Sequence, residues 1–390
     1  LSTIFWLSVT AVAYTYIVYP AAIYFCARLA AKPHNCDGTA CAGVSVLIAG
    51  HQEREKILEK LVCLCKQLSD SKMRGEIIVV LDGIGSSPSG IGEYLNKKVT
   101  DERIKIINLS CNIGKAAAIS TGAAEAKYDV LVLSDIRQRW RPDALSLLVE
   151  SFRDANVGAV SGELVLESQE GIAGGVGLYW KYERWLRHQE SLYDSVTGVT
   201  GAICAVRSEL FEPVPAGTIL DDVYWPLKVV MKGFRVLHLP DAIAYDRLPS
   251  HAKDEFRRKV RTLCGNFQLM TLLPEAVYPW RNRLWWQFIS HKLLRLVAPW
   301  ALLGILASSA LIDGPFYRWA FWAQAAVYGI TLIMMLSGQA KRVRLIAAAA
   351  AFLLLNFAAW VAFWVWISGR EANAWKSVNY NDLAGDRPKN

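Results

Sequence analysis

Carboxylates placed at the ends of apolar runs are the first chemistry the sequence offers. Asp82 follows the apolar run Glu76–Leu81, Asp135 follows Val130–Leu133 and Ser134, and the polar loop His51-Gln52-Glu53 follows Val44–Ile48. An aspartate after a strand also serves as a helix cap, so one such residue says little, whereas three strand ends carrying polar groups bring them to one edge of a sheet. Asp221-Asp222 form a second feature, lying after a Pro/Gly loop and before the helical pattern Val223–Lys232. Removing a proton from a hydroxyl needs a carboxylate within hydrogen-bond reach, and in an adjacent pair one acid can act as base while its neighbour orients it or caps the helix. Further on, Arg258 and Arg261 in Phe256-Arg257-Arg258-Lys259-Val260-Arg261-Thr262 share one helical face at i, i+3. Such cations can take up the charge that develops on a departing diphosphate. A solvated basic face is the plainer meaning of the same run.

The elements that would position these groups alternate. Val44–Ile48 is a β-branched strand followed by a helical pattern through Leu58, Leu61, Val62 and Leu68. Glu76–Leu81 and Ile104–Asn108 are two further strands, Asn112-Ile113-Gly114-Lys115 opens an alanine-rich helix, and Val130–Leu133 is a fourth strand. This alternation predicts a parallel sheet flanked by helices, with ligands beyond the carboxyl ends of the strands. Gly83-x-Gly85 is a poor dinucleotide fingerprint, because Ser86-Ser87-Pro88 occupies the place of the third glycine and the helix start.

The chain of 390 residues is 53% hydrophobic, more than a water-soluble enzyme needs, and the excess sits at its two ends. Phe5–Leu29, Leu293–Ile312, Phe316–Leu336 and Leu345–Ser368 each approach the roughly 20 residues that cross a bilayer. The expected plan is a transmembrane helix over 1–30, a cytosolic domain over 31–280, an amphipathic interfacial helix over 281–296, three transmembrane helices within 293–368, and a polar tail over 369–390. Arg28 and Lys32, then Arg281, Arg283, Lys292 and Arg295, then Lys341, Arg342 and Arg344 flank the spans, which puts the domain on the cytoplasmic side. The net charge of +8 is largely these clusters, so anionic lipid heads are expected partners and nucleic acid is not. The eight cysteines contain no C-x-x-C pair and are expected to be reduced thiols. Tyr179, Trp180, Tyr182, Trp185 and Tyr193 crowd the segment Gly177–Tyr193, fit for sugar rings, for lipid or for core packing alike.

Taken together these motifs resemble family 2 glycosyltransferases, in particular the membrane-anchored group that includes hyaluronan, cellulose and chitooligosaccharide synthases and ceramide glucosyltransferase. Val44–Ile48 with Gln52-Glu53 resembles the family's opening strand and nucleotide loop, Val79–Gly83 its second aspartate motif, and Asn112-x-Gly114-Lys115 its N-x-G-K element. Ser134-Asp135-Ile136-Arg137 stands at the D-x-D position, Gly198–Ala202 resembles the acceptor loop, Asp221-Asp222 the base motif, and Arg258–Arg261 the Q/R-x-x-R-W motif. The resemblance implies an α/β domain of the GT-A type and an inverting transferase moving a sugar from a UDP-sugar to a lipid or lipid-linked glycan at the cytoplasmic face of a bacterial inner membrane. It implies that Glu53 and Asp82 hold uracil and ribose, Lys115 faces the diphosphate, Thr200, Gly201, Ala202 and Trp180 meet the acceptor, and Asp222 is the base beside Asp221. Asp135 would be the ligand of Mg2+ or Mn2+.

Two departures bear on this. Arg137 replaces the second D-x-D acid, which implies weaker metal binding or a guanidinium that pairs directly with phosphate, Arg139 assisting. Thr262 replaces the tryptophan that polymerising synthases use to cradle acceptor. A processive exopolysaccharide synthase and a non-catalytic scaffold of a polysaccharide-export complex are the competing expectations.

Overall fold

The computed structural model describes residues 1–35, 37–39, 41–50, 54–83, 95, 98–167, 173–247, 252–337 and 343–369. Eight strands form one sheet: β1 Val44–Gly50, β2 Gly75–Leu81, β3 Ile104–Asn108, β4 Val130–Ser134, β5 Arg139–Trp140, β6 Val157–Glu167, β7 Cys204–Arg207 and β8 Arg235–Arg247. Their order is β3-β2-β1-β4-β7-β6-β8-β5. The first four are parallel, as expected, but β7 runs antiparallel to both β4 and β6, and β5 antiparallel to β8, so the sheet is mixed rather than parallel throughout.

Side chains alternate across this sheet. Val44, Val46 and Ile48 of β1 join Ile77 and Val79 of β2 in a core covered by Ile57, Leu61, Leu64 and Leu68 of helix α1 (Arg54–Asp70). Leu47, Ile78 and Val80 face the other way, against Ala116, Ala118 and Ile119 of helix α2 (Lys115–Ala123). Alanines suit α2 because it lies close to the sheet: a Cβ on Gly122 would stand 2.3 Å from Leu47 Cδ1. Each large side chain so buried contributes about 1.5–3 kcal/mol.

Past β2 the chain turns at Gly83, whose φ of +73° is one that L side chains resist. A Cβ there would lie 2.8 Å from the Asn112 backbone nitrogen. Gly83→Ala is therefore expected to cost at least about 1–2 kcal/mol, seen as a lower melting temperature, and to displace the Asn112–Lys115 segment. A melting temperature equal to that of the parent would refute it.

Four helices have the length and hydropathy to cross a membrane: S1 Ser2–Leu29, S2 Trp285–Leu311, S3 Pro315–Leu336 and S4 Leu345–Ile367. One lies before the α/β domain and three after it, as expected. Their outward residues are apolar, among them Leu7, Ile17, Trp319, Trp322, Ile333 and Leu345. S1 and S2 approach closely at Gly304, where a Cβ would meet Ser8 Oγ at 2.7 Å. Each of the two also has one wide π-helical stretch, Tyr14–Val18 in S1 and Phe288–Leu293 in S2. These stretches face each other, since Tyr14 Oη lies 2.9 Å from Ser290 Oγ and accepts a 2.9 Å hydrogen bond from Trp286 Nε1.

The separate interfacial helix expected over 281–296 is not formed. Asn282 ends the preceding turn by donating to the Ala276 carbonyl and accepting from Leu284 N–H, and the chain enters S2 directly at Trp285. Arg283 is a clamp on the α/β domain, 3.0 Å from Asp194 and bonded to the Gly233 and Phe234 carbonyls.

Two further helices join domain and spans: α3 Ala173–Tyr193 and α4 Ala252–Leu272. Glu183 and Glu190 of α3 hold His291 of S2 between them at 3.0 and 2.7 Å, Arg295 pairs with Glu183, and Tyr19 of S1 donates to Glu190 at 2.5 Å. Glu190 is fully buried. Buried charge of this kind persists only when paired, so α3 is fixed to both S1 and S2.

Candidate active site

Helix α5, Asp221–Met231, begins two residues earlier than its hydrophobic pattern suggests and takes Asp221 and Asp222 into its first turn. Carboxylates at a helix N-terminus are favoured by the helix dipole. The Asp222 carbonyl accepts the Val199 N–H at 2.8 Å, which joins the helix start to the 198–202 loop. Gly198 allows that approach, since a Cβ there would stand 3.1 Å from the same oxygen.

The carboxyl ends of β1 and β4 open onto this helix. Lys115, Asp135, Gly201, Asp221, Asp222 and Trp225 line one narrow cleft, floored by Ala49 of β1 and Ser134 of β4. Lys115 Nζ stands 2.6 Å from Asp135 Oδ1. Gly201 leaves room for the pair, because a Cβ on it would be 3.2 Å from Lys115 Nζ. Asp222 also lines a larger cavity of about 230 Å³ on its other side, whose walls include Trp180, Arg187, Lys259, Lys292 and Arg295. The carboxylate thus stands at the junction of two spaces.

Electrostatics separate the roles. Burial and the charge of Asp221 together push Asp222 up to about 6, against the pull of Lys115. Burial likewise raises Asp221, opposed by Lys115. Burial works against the charged Lys115 amine, but Asp135, Asp221 and Asp222 outweigh it, so Lys115 stays a cation. The cleft holds a fixed cation suited to phosphate and an acid whose ionisation is tuned toward neutral pH.

The other expected residues divide. Asp82 is buried at the end of β2 and accepts the Ile113 and Gly114 N–H groups at 2.8 and 2.9 Å, which presents Lys115 at the start of α2. Arg137, expected to face phosphate, points to buried Asp246 at 2.7 Å, and Gln138 bonds the same carboxylate at 3.0 Å. Arg258 is held by Glu255 at 2.8 Å and lines neither space, while the charge of Arg261 is near enough to lower Asp221. Gly201, expected to meet acceptor, lies on the Lys115 side of Asp222. Thr200 donates its N–H to Ser161, and Ala202 is buried with its carbonyl bonded to Trp140. Trp180 lies in the larger cavity with the Lys259 amine 5.0 Å from its ring centre. Glu53 lies outside the described residues.

Sequence reasoning missed Arg187, Lys292 and Arg295 as site residues and treated the last two only as orientation signals. A charge inside an apolar span is itself a signal of function, and Lys292 and Arg295 lie in S2.

Among the described residues no group of three or more His, Cys, Asp or Glu side chains is arranged to hold a metal. A divalent ion beside a nucleotide needs only one or two protein carboxylates, the phosphates completing its shell. Asp135 and Asp221 fit that requirement, and the Lys115 ammonium against Asp135 shows that the carboxylate is aimed at a cation within the cleft. Arg137, bound to Asp246, does not take that place.

A mixed sheet with acids at the ends of its parallel strands, facing a helix that starts on two aspartates, defines a GT-A-type domain, here joined to four long apolar helices. Residues 45–214 match the family Glycosyl transferase family 2, so the chain carries a glycosyltransferase domain of that family. Over 234 residues it is 23% identical to the poly-beta-1,6-N-acetyl-D-glucosamine synthase of Staphylococcus aureus (strain COL), an overlap covering 58% of this chain and 55% of the relative. The synthase of the same name from Staphylococcus epidermidis is 24% identical over 234 residues. The chain thus spans about half the length of the curated relatives it matches. A mannosyltransferase from Pyrobaculum calidifontis, solved with GDP-Man and Mn2+, superposes with a TM-score of 0.61 at 22% identity, covering 89% of this chain and 99% of its own. At that identity the likeness speaks for the fold.

Proposed function

We propose that the chain is an inverting glycosyltransferase that moves a sugar from a UDP-sugar to a lipid or lipid-linked glycan at the cytoplasmic membrane surface. The observation that carries this reading is Asp222 standing between a cleft that holds the Lys115 ammonium and a second cavity walled in part by Lys292 and Arg295 of S2. The diphosphate lies against Lys115, the acceptor hydroxyl enters from the other side, and Asp222 takes its proton as the oxygen attacks the anomeric carbon opposite the departing diphosphate. Asp221 raises the basicity of its neighbour, and Arg261 stands close enough to act on the same charge. Asp135, with Asp221, would hold Mg2+ or Mn2+, which offsets the charge of the leaving group.

The test is release of nucleoside diphosphate by the full chain in bilayers, offered UDP-sugars and GDP-mannose. Turnover of a UDP-sugar that requires Mn2+ or Mg2+ and stops in chelator is expected, and Asp135→Asn should weaken metal stimulation about ten-fold or more. Full turnover in chelator would remove the metal from this reading, and release only from GDP-mannose would replace the donor. The relatives named as poly-beta-1,6-N-acetyl-D-glucosamine synthases favour a second reading, polymer synthesis. Products of many sugars from UDP-N-acetylglucosamine would establish it over transfer of one or a few.

A further inference from the structure

The cavity on the acceptor side of Asp222 is rich in donors and cations. Arg187 reaches it bonded only to neutral oxygens, its Nη2 donating to Ser161 Oγ at 2.9 Å and the Gly198 carbonyl at 3.2 Å. Lys292 lines it with no hydrogen bond or ion pair among the described residues. Arg295 spends one nitrogen on Glu183, while its Nε and Nη2 are buried with no partner, as is the indole N–H of Trp180. The remaining carboxylate of this cavity is Asp222, since Glu183 is already shared between Arg295 and His291. Unpaired buried donors and cations are costly, and a neutral sugar cannot offset their charge.

The same cavity shares walls with an apolar one. Tyr179, Leu263, Arg295 and Leu355 border both it and a space of about 300 Å³ lined by Tyr16 of S1 and by Ala348, Ala351 and Phe352 of S4. A donor-rich chamber thus adjoins a largely apolar one between two spans.

We propose that the two cavities together take an anionic amphiphile, an acceptor whose phosphate is held by Arg187, Lys292 and the free edge of Arg295, with its hydrocarbon chain between S1 and S4. Resting on the glycosyltransferase reading, this names the acceptor class: a phosphate-bearing lipid that also carries a hydroxyl within reach of Asp222. That oxygen bonds to the anomeric carbon, the anomeric bond to the nucleoside diphosphate breaks, its electron pair leaves with the diphosphate, and the hydroxyl proton passes to Asp222. Four oxygens able to accept hydrogen bonds and a negative charge match the donors on the wall, and the chain matches the apolar space.

Native mass spectrometry of the full chain, titrated with decyl phosphate, decanol or inorganic phosphate, reads occupancy without needing turnover. Decyl phosphate is expected to form a saturable one-to-one adduct, with decanol and inorganic phosphate each at least about ten-fold weaker. Lys292→Met should weaken the adduct about ten-fold, and Lys292→Arg should retain it, which separates charge from misfolding. Equal binding of decanol, or an undiminished adduct in Lys292→Met with Arg187→Met, overturns the proposal. Equal binding of inorganic phosphate overturns its lipid part. Nucleoside diphosphate release, measured in parallel, tests the glycosyltransferase reading independently: an adduct without turnover of any nucleotide sugar sinks that reading, and turnover without an adduct sinks this one.

Discussion

Asp222→Asn is expected to lower turnover by about 10²–10⁴-fold while leaving UDP affinity nearly unchanged, because the amide keeps the shape of the carboxylate but cannot accept a proton. The parent enzyme should show kcat/KM climbing through about pH 6 and levelling above it, since Asp222 is displaced to about 6 by burial and by Asp221. Asp221→Asn removes the neighbouring charge and should move that limb to lower pH. The same displacement sets a stability trend: a carboxyl whose folded value is raised binds more protons folded than unfolded, so its contribution falls as pH rises from about 3.9, the unfolded value, through about 6. Asn at this position should therefore melt higher than the parent at neutral pH. Turnover above a tenth of the parent in Asp222→Asn would end its assignment as base.

The largest stability effect is expected at Glu183. Burial alone would raise its carboxyl, but Arg295 and His291 outweigh that and hold it well below the ordinary range. Glu183→Gln leaves Arg295 without a counter-charge and His291 with Glu190 alone at the join of α3 and S2, and should cost about 3–5 kcal/mol. Replacing Glu183 and Arg295 together by Met should recover most of the loss, as a coupled pair requires. A depressed carboxyl contributes stability that is present above its unfolded value, about 4.3, and disappears as pH falls toward its folded one. Thermal melting in detergent across acid pH checks both statements, and an unchanged midpoint in Glu183→Gln would show that the join does not depend on this charge.

The first four strands were legible because both faces of β1, β2 and β4 are covered, which leaves uninterrupted apolar runs. Strands β6 and β8 were not, for they carry Ser161, Gly162 and Glu163 in one and His238, Pro240 and Asp241 in the other. Glu163 and His238 satisfy each other inside the sheet at 2.8 Å, a pairing no local pattern announces. Asp82, Asp135 and the Asp221–Asp222 pair were visible as strand-end and helix-start acids, and the structure brings Asp135, Asp221 and Asp222 to one cleft. Arg137 was misjudged because its partner Asp246 lies 109 residues away. The Arg258–Glu255 pair, at i, i+3, was within reach of helix spacing and was overlooked. The start of S2 was misplaced because Trp285 and Trp286 suit a membrane interface as well as a helix entry.

The wide stretch Phe288–Leu293 holds one residue more than an ordinary turn just upstream of Arg295. Angular phase along S2 therefore depends on chain length there. Deleting a single codon in this stretch, without altering any side chain that remains, would rotate the rest of the helix by about 100° and swing Arg295 off the cavity wall toward lipid.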